Sequence, residues 1–403
     1  MFMGLNWMNV PILVSRNVLH FIVVCLLLPF CSFSQNLSQH NWYFGKSNNG
    51  IRFNRATNKP QLTSITKALD ATGGTAVATD PTTANLLFYT DGQTIRDATH
   101  QTMENGDGLT GNTSSNQVAV ICPVPGNANK YFVFTNTVTG DIHSTVVDMS
   151  AFGKAIFPGL PLGEVEKENK NKLVAGLSKR SEGMIIIPHA NGTDFWLITH
   201  SNDLAVGGYS VSQISNASYQ AKDAAVVTTT IYPTPSPIIV ASFSYNKSLK
   251  KLAVATQSIG DNAQVLDFNP ATGSLTLDRI IPNTASTSPL YDIEWGSSGK
   301  NAKDQIVYYL YISRLGNATD NAAILQYDYS ASGGSPPVSI ISQVLTNAIY
   351  ESYGLQLAPD STIYHLYRAT NGGPYFIEQL NKIRSSISSS EAVSQFTLYN
   401  VST

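Results

Sequence analysis

The chain has 403 residues, of which only 13% are charged, and its formal net charge is −2 at pH 7. Such sparse and balanced charge argues against a nucleic-acid-binding protein, because no basic cluster is present to neutralise phosphates. Of the three cysteines, Cys25 and Cys31 lie close to the N-terminus and Cys122 stands alone. We therefore expect Cys122 to be a small buried hydrophobic residue and the protein to depend on a large packed core.

Residues 1–34 are predicted to be a signal peptide. The apolar run Val18–Phe30 has the length of a signal-peptide core and is shorter than the ~20 residues that span a bilayer. Small side chains before Gln35 favour cleavage between Ser34 and Gln35. An uncleaved anchor and a lipoprotein are the alternative interpretations.

With the signal removed, we expect residues 35–403 to be a single exported domain. Its predicted location is the extracellular space or the outer-membrane surface, with the periplasm as the alternative. No second apolar stretch is long enough to cross a membrane, so we do not expect an integral membrane protein after cleavage.

After this N-terminus the sequence repeats one pattern: an apolar strand, a turn containing Pro, Gly, Asn or Asp, and a second apolar strand. The pattern returns roughly every 40–65 residues and is often followed by a third strand, which is typical of propeller blades. Its copies are Thr75–Thr90, Val118–Thr135, Met184–Thr199, Ile239–Thr256, Tyr291–Ile312 and Tyr353–Tyr367.

The strand pair Trp42–Phe44 and Gly50–Phe53 adds a partial unit to these six copies. The sequence therefore predicts an all-β fold: a β-propeller of seven blades, each with three to four antiparallel strands. A propeller must close to protect its edges. We expect Gln395–Asn400 to close the ring by pairing with the N-terminal strand; an unclosed β-sandwich pair or a solenoid is the alternative.

Several motifs resemble the N-terminal propeller-like region of Bacteroidetes surface and gliding-motility-associated proteins. The resemblance is most specific in the first third of the mature chain. Its motifs are Asn41–Gly45, Leu86–Gly92, Met103–Gly111, Ser114–Gln117, Pro123–Thr135, Asn191–Trp196 and Leu355–Asp360 with Ile363 and Tyr364. A type IX secretion sorting domain often follows in that family, and none is expected within residues 35–403. The resemblance implies a propeller exposed at the cell surface.

Candidate ligand-binding residues are few. Asp91, with Asn105 and Asp107, offers oxygen donors for Ca²⁺, although the spacing is not that of an EF-hand loop. Asp292 and Glu294 alternate on one strand, so both side chains point to the same face. Trp295 ends that strand before a Gly-Ser-Ser-Gly turn and is predicted to sit at an exposed rim, where it would stack on a ligand.

Two functions from different classes fit these residues. The first is a non-enzymatic surface module that binds protein or glycan in adhesion or gliding-type assemblies, or acts as a structural spacer. The alternative is a propeller hydrolase or lactonase that uses the paired carboxylates of Asp292 and Glu294 with a metal ion. No catalytic set is complete in the sequence, so we expect no enzyme and no cofactor, with Ca²⁺ as the one metal considered.

Overall fold

Strands form where β-branched and aromatic residues alternate between turn residues, as the repeat predicts. The computed structural model describes residues 37–65, 69–155, 159–203, 207–220, 228–233, 238–258, 262–283, 287–300, 304–317, 322–330, 338–339, 349–373, 375–380 and 395–399. The chain divides into two units, residues 1–36 and Leu37–Thr403, and the described residues all belong to the second. The predicted signal peptide lies outside them.

Seven antiparallel sheets follow one another along the chain, and we number them as blades 1 to 7. Blade 1 contains β1 (Asn41–Tyr43), β2 (Asn49–Phe53) and β3 (Pro60–Ser64); blade 2 contains β4 (Ala76–Thr79), β5 (Leu86–Thr90) and β6 (Ile95–Asp97). Blade 3 contains β7 (Ala119–Val124), β8 (Asn127–Asn136), β9 (Ile142–Asp148) and the short strands β10 (Glu164–Val165) and β11 (Lys172–Leu173), which both pair with β9. Blade 4 contains β12 (Arg180–Pro188), β13 (Phe195–Ser201), β14 (Gly208–Ile214) and β15 (Thr228–Pro233).

The second half repeats this arrangement. Blade 5 contains β16 (Val240–Asn246), β17 (Lys251–Thr256), β18 (Ala263–Asn269) and β19 (Ser274–Ile281). Blade 6 contains β20 (Leu290–Trp295), β23 (Tyr309–Arg314), β24 (Ala323–Asp328) and β25 (Val338–Ser339), with a separate ribbon of β21 (Gly299–Lys300) and β22 (Ile306–Val307). Blade 7 contains β26 (Glu351–Leu357), β27 (Ile363–Arg368), β28 (Tyr375–Leu380) and β29 (Gln395–Tyr399).

Helix is scarce in the described ranges, which hold one 3₁₀ turn, Lys167–Asn169, and one short α-helix, α1 (Asn216–Gln220). Within those ranges no helix combines the length and the apolar character that a membrane span requires.

Each blade is a meander whose first strand lies innermost. The first strands of consecutive blades contact one another, from β1 with β4 to β20 with β26, so they surround a common axis. The sheets thus form a seven-bladed β-propeller, and the predicted fold class is confirmed. The predicted number of three to four strands per blade is confirmed as well, except in blade 3, where two additional short strands both pair with β9.

The predicted mode of ring closure was wrong. Gln395–Tyr399 forms β29, which pairs with β28 at residues such as Tyr375 and Ile377 and not with β1. The N-terminal blade already has three strands of its own. β28 directly precedes β29 along the chain, and its outer edge is open, so β29 pairs there. Among the strands that the structure describes, the first and last blades therefore share none.

Closure depends instead on apolar packing between blades. Seven buried clusters can be traced in the described chain, one at each interface between neighbouring blades, including the interface of blade 7 with blade 1. At that last interface Trp42 packs edge-on against Tyr364, with ring centroids 5.4 Å apart, and Phe53 lies 5.8 Å from the same tyrosine. Asn58 Nδ2 also donates to the carbonyl of Pro359 at 3.0 Å.

Phe53→Ala tests this closure. Phe53 is 1% exposed, and its removal leaves a cavity between blades 1 and 7, so we expect the free energy of unfolding to fall by about 3–5 kcal/mol. The matched control is Leu62→Ala in the outer strand of the same blade, 52% exposed, where a change within about 0.5 kcal/mol is expected. Urea unfolding measures both. Equal effects of the two variants would show that the interface does not stabilise the ring.

Candidate functional site

A cavity of about 340 Å³ lies beside the first strands of the blades and extends to the second and third strands of blade 7, β27 and β28. Polar and aromatic side chains dominate its wall, and blades 1, 2, 3, 5, 6 and 7 all contribute to it. The residues used below are Trp42, Asn116, Gln117, Ser242, Tyr291, Asp292, Tyr353, Gly354 and Tyr375.

β-bulges in the first strands of blades 6 and 7 place side chains on the wall of this cavity. The first strands of blades 4 to 7 all shift register near their beginning: between Arg180 and Met184, Val240 and Ser242, Leu290 and Asp292, and Ser352 and Leu355. A bulge turns one strand residue out of the alternating pattern and is a common device beside binding sites. Tyr291, Tyr353 and Gly354 are bulged residues, and all three line the cavity.

Three tyrosines form one wall, which we call the aromatic corner: Tyr291, Tyr353 and Tyr375. The rings of Tyr291 and Tyr353 are nearly perpendicular, at 88°, with centroids 5.2 Å apart. The rings of Tyr353 and Tyr375 lie 5.5 Å apart at 48°. Burial raises the pKa of both Tyr291 and Tyr353, so their hydroxyls stay protonated at neutral pH.

An ion pair supports the aromatic corner from blade 7. Tyr353 Oη donates to Glu351 Oε2 at 2.6 Å, and Arg368 Nη1 donates to the same oxygen at 3.0 Å. The Arg368 guanidinium carbon lies 4.5 Å from the centroid of the Tyr375 ring. These contacts fix the orientation of two of the three rings.

Asp292 places a carboxylate on the cavity wall. Its Oδ2 accepts from Leu355 N of blade 7 at 2.7 Å, and its Oδ1 accepts from Ile293 N at 2.8 Å. Burial raises the pKa of Asp292 to about 6, against smaller opposing contributions from the Ser242 hydroxyl and these two amides. The side chain is thus held between the first strands of blades 5, 6 and 7.

Glu294 points to the same side of β20 and repeats this arrangement one step along the strand. Burial raises the pKa of Glu294 to about 8, with a further contribution from repulsion by Asp292; the Ser244 hydroxyl and the Leu357 amide lower it. Near neutral pH, Glu294 therefore holds a proton while Asp292 carries the negative charge. Glu294 does not reach the cavity wall.

Blades 3 and 4 are joined beside the same cavity. Asn116 N donates to Glu182 Oε2 at 3.0 Å, and Met184 N donates to Gln117 Oε1 at 2.8 Å. Asn116 and Gln117 both line the cavity, so their side-chain amides belong to the same wall as the aromatic corner.

Protein groups already contact the three residues that were predicted to bind Ca²⁺. The Asp91 carboxylate accepts from the amides of Gln93, Thr94 and Asp70 at 2.7–3.0 Å, so it shapes the turn between β5 and β6. Lys170 Nζ donates to the carbonyls of Asn105 and Asp107, so an ammonium group already binds that loop. In the part of the chain that the structure describes, no three His, Cys, Asp or Glu side chains are grouped to hold a metal ion.

Trp295 was expected at an exposed rim, and this placement was wrong. Its side chain is 2% exposed in the cluster between blades 5 and 6, and its ring packs edge-on against Tyr329 at 5.1 Å. The alternation of β20 turns Trp295 to the face opposite Asp292 and Glu294. Cys122, by contrast, is buried at 2% as expected, and burial raises its pKa.

The aromatic corner was not found in the sequence. None of its three tyrosines was a candidate ligand-binding residue, because strand periodicity does not locate a bulge. A signal was nevertheless present: Tyr291 and Tyr353 begin corresponding strands of two repeat copies. A recurring aromatic residue at the start of the innermost strand points to the channel in a propeller.

Comparison with known proteins gives structural neighbours alone: no protein-family profile and no characterised protein sequence matches this chain. The BP39L lectin of Burkholderia pseudomallei aligns over 90% of this chain and 100% of its own, at 8% identity and a TM-score of 0.49. A Bacteroides uniformis protein provisionally assigned as a 6-phosphogluconolactonase aligns over 89% and 96%, at 10% identity and 0.47. The Aleuria aurantia lectin, solved with α-methyl-L-fucoside, aligns over 90% and 94%, at 9% identity and 0.41.

Glu294→Gln tests the electrostatics of the site. Folding raises the pKa of Glu294 from 4.5 to about 8, so the folded protein loses stability as pH rises through about pH 5 to pH 8. Without the ionisable group, the variant should exceed the wild type in stability at about pH 8 by 1 kcal/mol or more, with the gain shrinking towards about pH 5. Thermal or urea unfolding across pH measures this. Glu168→Gln, at an exposed position, is the control; a gain for Glu294→Gln that is independent of pH would contradict the assignment.

Proposed function

We propose that this protein is an exported, non-enzymatic binding module of the cell surface, whose central cavity takes a glycan. The observation that carries the proposal is the aromatic corner, with a carboxylate and amide groups on the same wall. Sugars present apolar C–H faces and rings of hydroxyls, so tyrosine rings with nearby Asp, Asn and Gln suit them. The same groups also suit a peptide side chain, and a protein partner is the other member of this class.

The proposed location rests on the apolar run Val18–Phe30, which favours export. We also propose that the protein contacts a surface assembly of the gliding or adhesion type, because its motifs resemble a family of such surface proteins. The cavity volume of about 340 Å³ suits one or two sugar rings at a chain end.

One observation favours a second function. Asp292 lies on the cavity wall with a pKa of about 6, and a carboxyl group that titrates near neutral pH is suited to general acid–base catalysis. A hydrolase acting on a lactone or a glycosidic bond would use this group to activate water.

Tyr353→Ala tests the glycan-binding proposal. Loss of the ring at the centre of the aromatic corner should weaken binding of a glycan identified on an array by about fivefold or more, because stacking contributes roughly 1 kcal/mol or more. Tyr350→Ala is the matched control, since Tyr350 is 44% exposed and lies outside the cavity. Isothermal titration measures both. Equal weakening by the two variants, or an array without any bound glycan, would contradict the proposal.

A hydrolysis assay separates the second function. If the protein is a binding module, δ-gluconolactone should hydrolyse in its presence at the uncatalysed rate. A hydrolase should give saturable turnover that falls by about 10²-fold or more in Asp292→Asn, because that variant removes the acid–base group. Turnover that survives in Asp292→Asn would exclude this residue as the catalyst.

A further inference from the structure

The described wall of the cavity carries formal charge of one sign, which is negative. Aspartate at position 292 is the single formally charged side chain among its described lining residues; no Lys, Arg or His belongs to them. A phosphate or carboxylate ligand would therefore enter a low-dielectric cavity against a negative charge and find no cationic partner. The wall therefore makes the binding of an anionic ligand unfavourable.

The aromatic corner adds an attraction for positive charge. The faces of tyrosine rings carry negative electrostatic potential and attract ammonium groups within about 6 Å. Two of the rings, Tyr291 and Tyr353, pack edge to face at 88°, and both residues line the cavity. Tyr375 already makes one such contact, with the guanidinium of Arg368 at 4.5 Å.

Asp292 and the aromatic corner belong to the same blade interface. Tyr291 immediately precedes Asp292, and Gly354 follows Tyr353, so both corner residues lie next to the carboxylate along β20 and β26. A Cβ placed on Gly354 would lie 3.7 Å from Asp292 Oδ2, an ordinary van der Waals distance, so Gly354 borders this oxygen on the side of blade 7. One lone pair of Oδ2 is used by Leu355 N, and a carboxylate oxygen accepts a second donor.

We propose that the cavity selects a cationic ligand, a sugar or sugar-like molecule bearing a free amine, which donates to Asp292 and stacks its ammonium-bearing face on the aromatic corner. This inference rests on the proposed binding function and adds its ligand class. Phosphorylated and carboxylated sugars are excluded, and a neutral sugar binds more weakly than its amino counterpart.

Binding should depend on pH through Asp292. The titratable and charged groups around it are Tyr291 and Glu294 on its own strand, Glu182 on blade 4, and Glu351, Tyr353, Arg368 and Tyr375 on blade 7. Arg368 is paired with Glu351, Glu294 is protonated near neutral pH, and the Glu182 carboxylate accepts from Asn116 N and does not line the cavity. Asp292, the one charged residue of the described wall, therefore supplies the charge that the ligand meets. Affinity for an amine should therefore fall as pH drops below about 6.

The test uses three sugars that share a ring and differ in charge: glucosamine, N-acetylglucosamine and glucuronic acid. Each is titrated into the full chain at about pH 7, beside a glycan array that contains amino, N-acetylated and acidic members. We expect amine-bearing glycans to dominate the array and glucosamine to bind about tenfold tighter than N-acetylglucosamine, with no detectable binding of glucuronic acid.

Two variants assign the effect to the site. Asp292→Asn should bring glucosamine and N-acetylglucosamine to within about twofold of each other, whereas Asp107→Asn, at an exposed position outside the cavity, should keep the tenfold preference. Gly354→Ala is the second probe if Asp292→Asn fails to fold: its Cβ makes an ordinary contact of 3.7 Å, so folding is retained while access to Oδ2 narrows, and glucosamine binding should weaken.

The outcomes separate the two proposals. Neutral or acidic glycans that bind as tightly as their amino counterparts, or a preference for amines that persists in Asp292→Asn, would overturn the cationic ligand while leaving the binding module in place. An array and a sugar panel without any binding would overturn both.

Discussion

Apolar packing between neighbouring blades is the constraint on which this propeller depends. Every blade is a small twisted sheet with two apolar faces, and neither face is buried until another blade covers it. The described chain places one cluster at each of seven interfaces, and the cluster of Trp42, Phe53, Tyr364 and Ile377 completes the circle. Within the described residues no strand is shared between the first and last blades, and side-chain packing together with the Asn58–Pro359 hydrogen bond joins them there.

The cavity is a consequence of this closed ring. Seven first strands around an axis leave space at the centre, and the register shifts in blades 6 and 7 place Tyr291, Tyr353 and Gly354 on its wall. Asp292 shows how closely fold and site are coupled. Its carboxylate is held by an amide of the next blade, and its raised pKa follows from burial in the same interface. A charge that costs stability is thereby kept on the wall of the cavity.

The sequence predicted the architecture well because the apolar hairpin repeat reports directly on blades. It also placed Asp292 and Glu294 on one face, since strand alternation is a local rule. It failed where the outcome depended on tertiary contacts. The partner of Gln395–Tyr399, the burial of Trp295 and the use of Lys170 in the Asn105–Gly111 loop depend on segments distant in the chain. The aromatic corner was missed because a bulge leaves no periodic signal.

Native-state hydrogen exchange tests closure by packing most directly. If the interface of blades 1 and 7 is an integral part of the ring, the amides of β2 and β27 should exchange only through the same global opening as those of β17 in blade 5. Their protection should then rise and fall together as denaturant is added. Exchange of β2 and β27 through a separate opening of much lower free energy, with β17 still protected, would contradict the account.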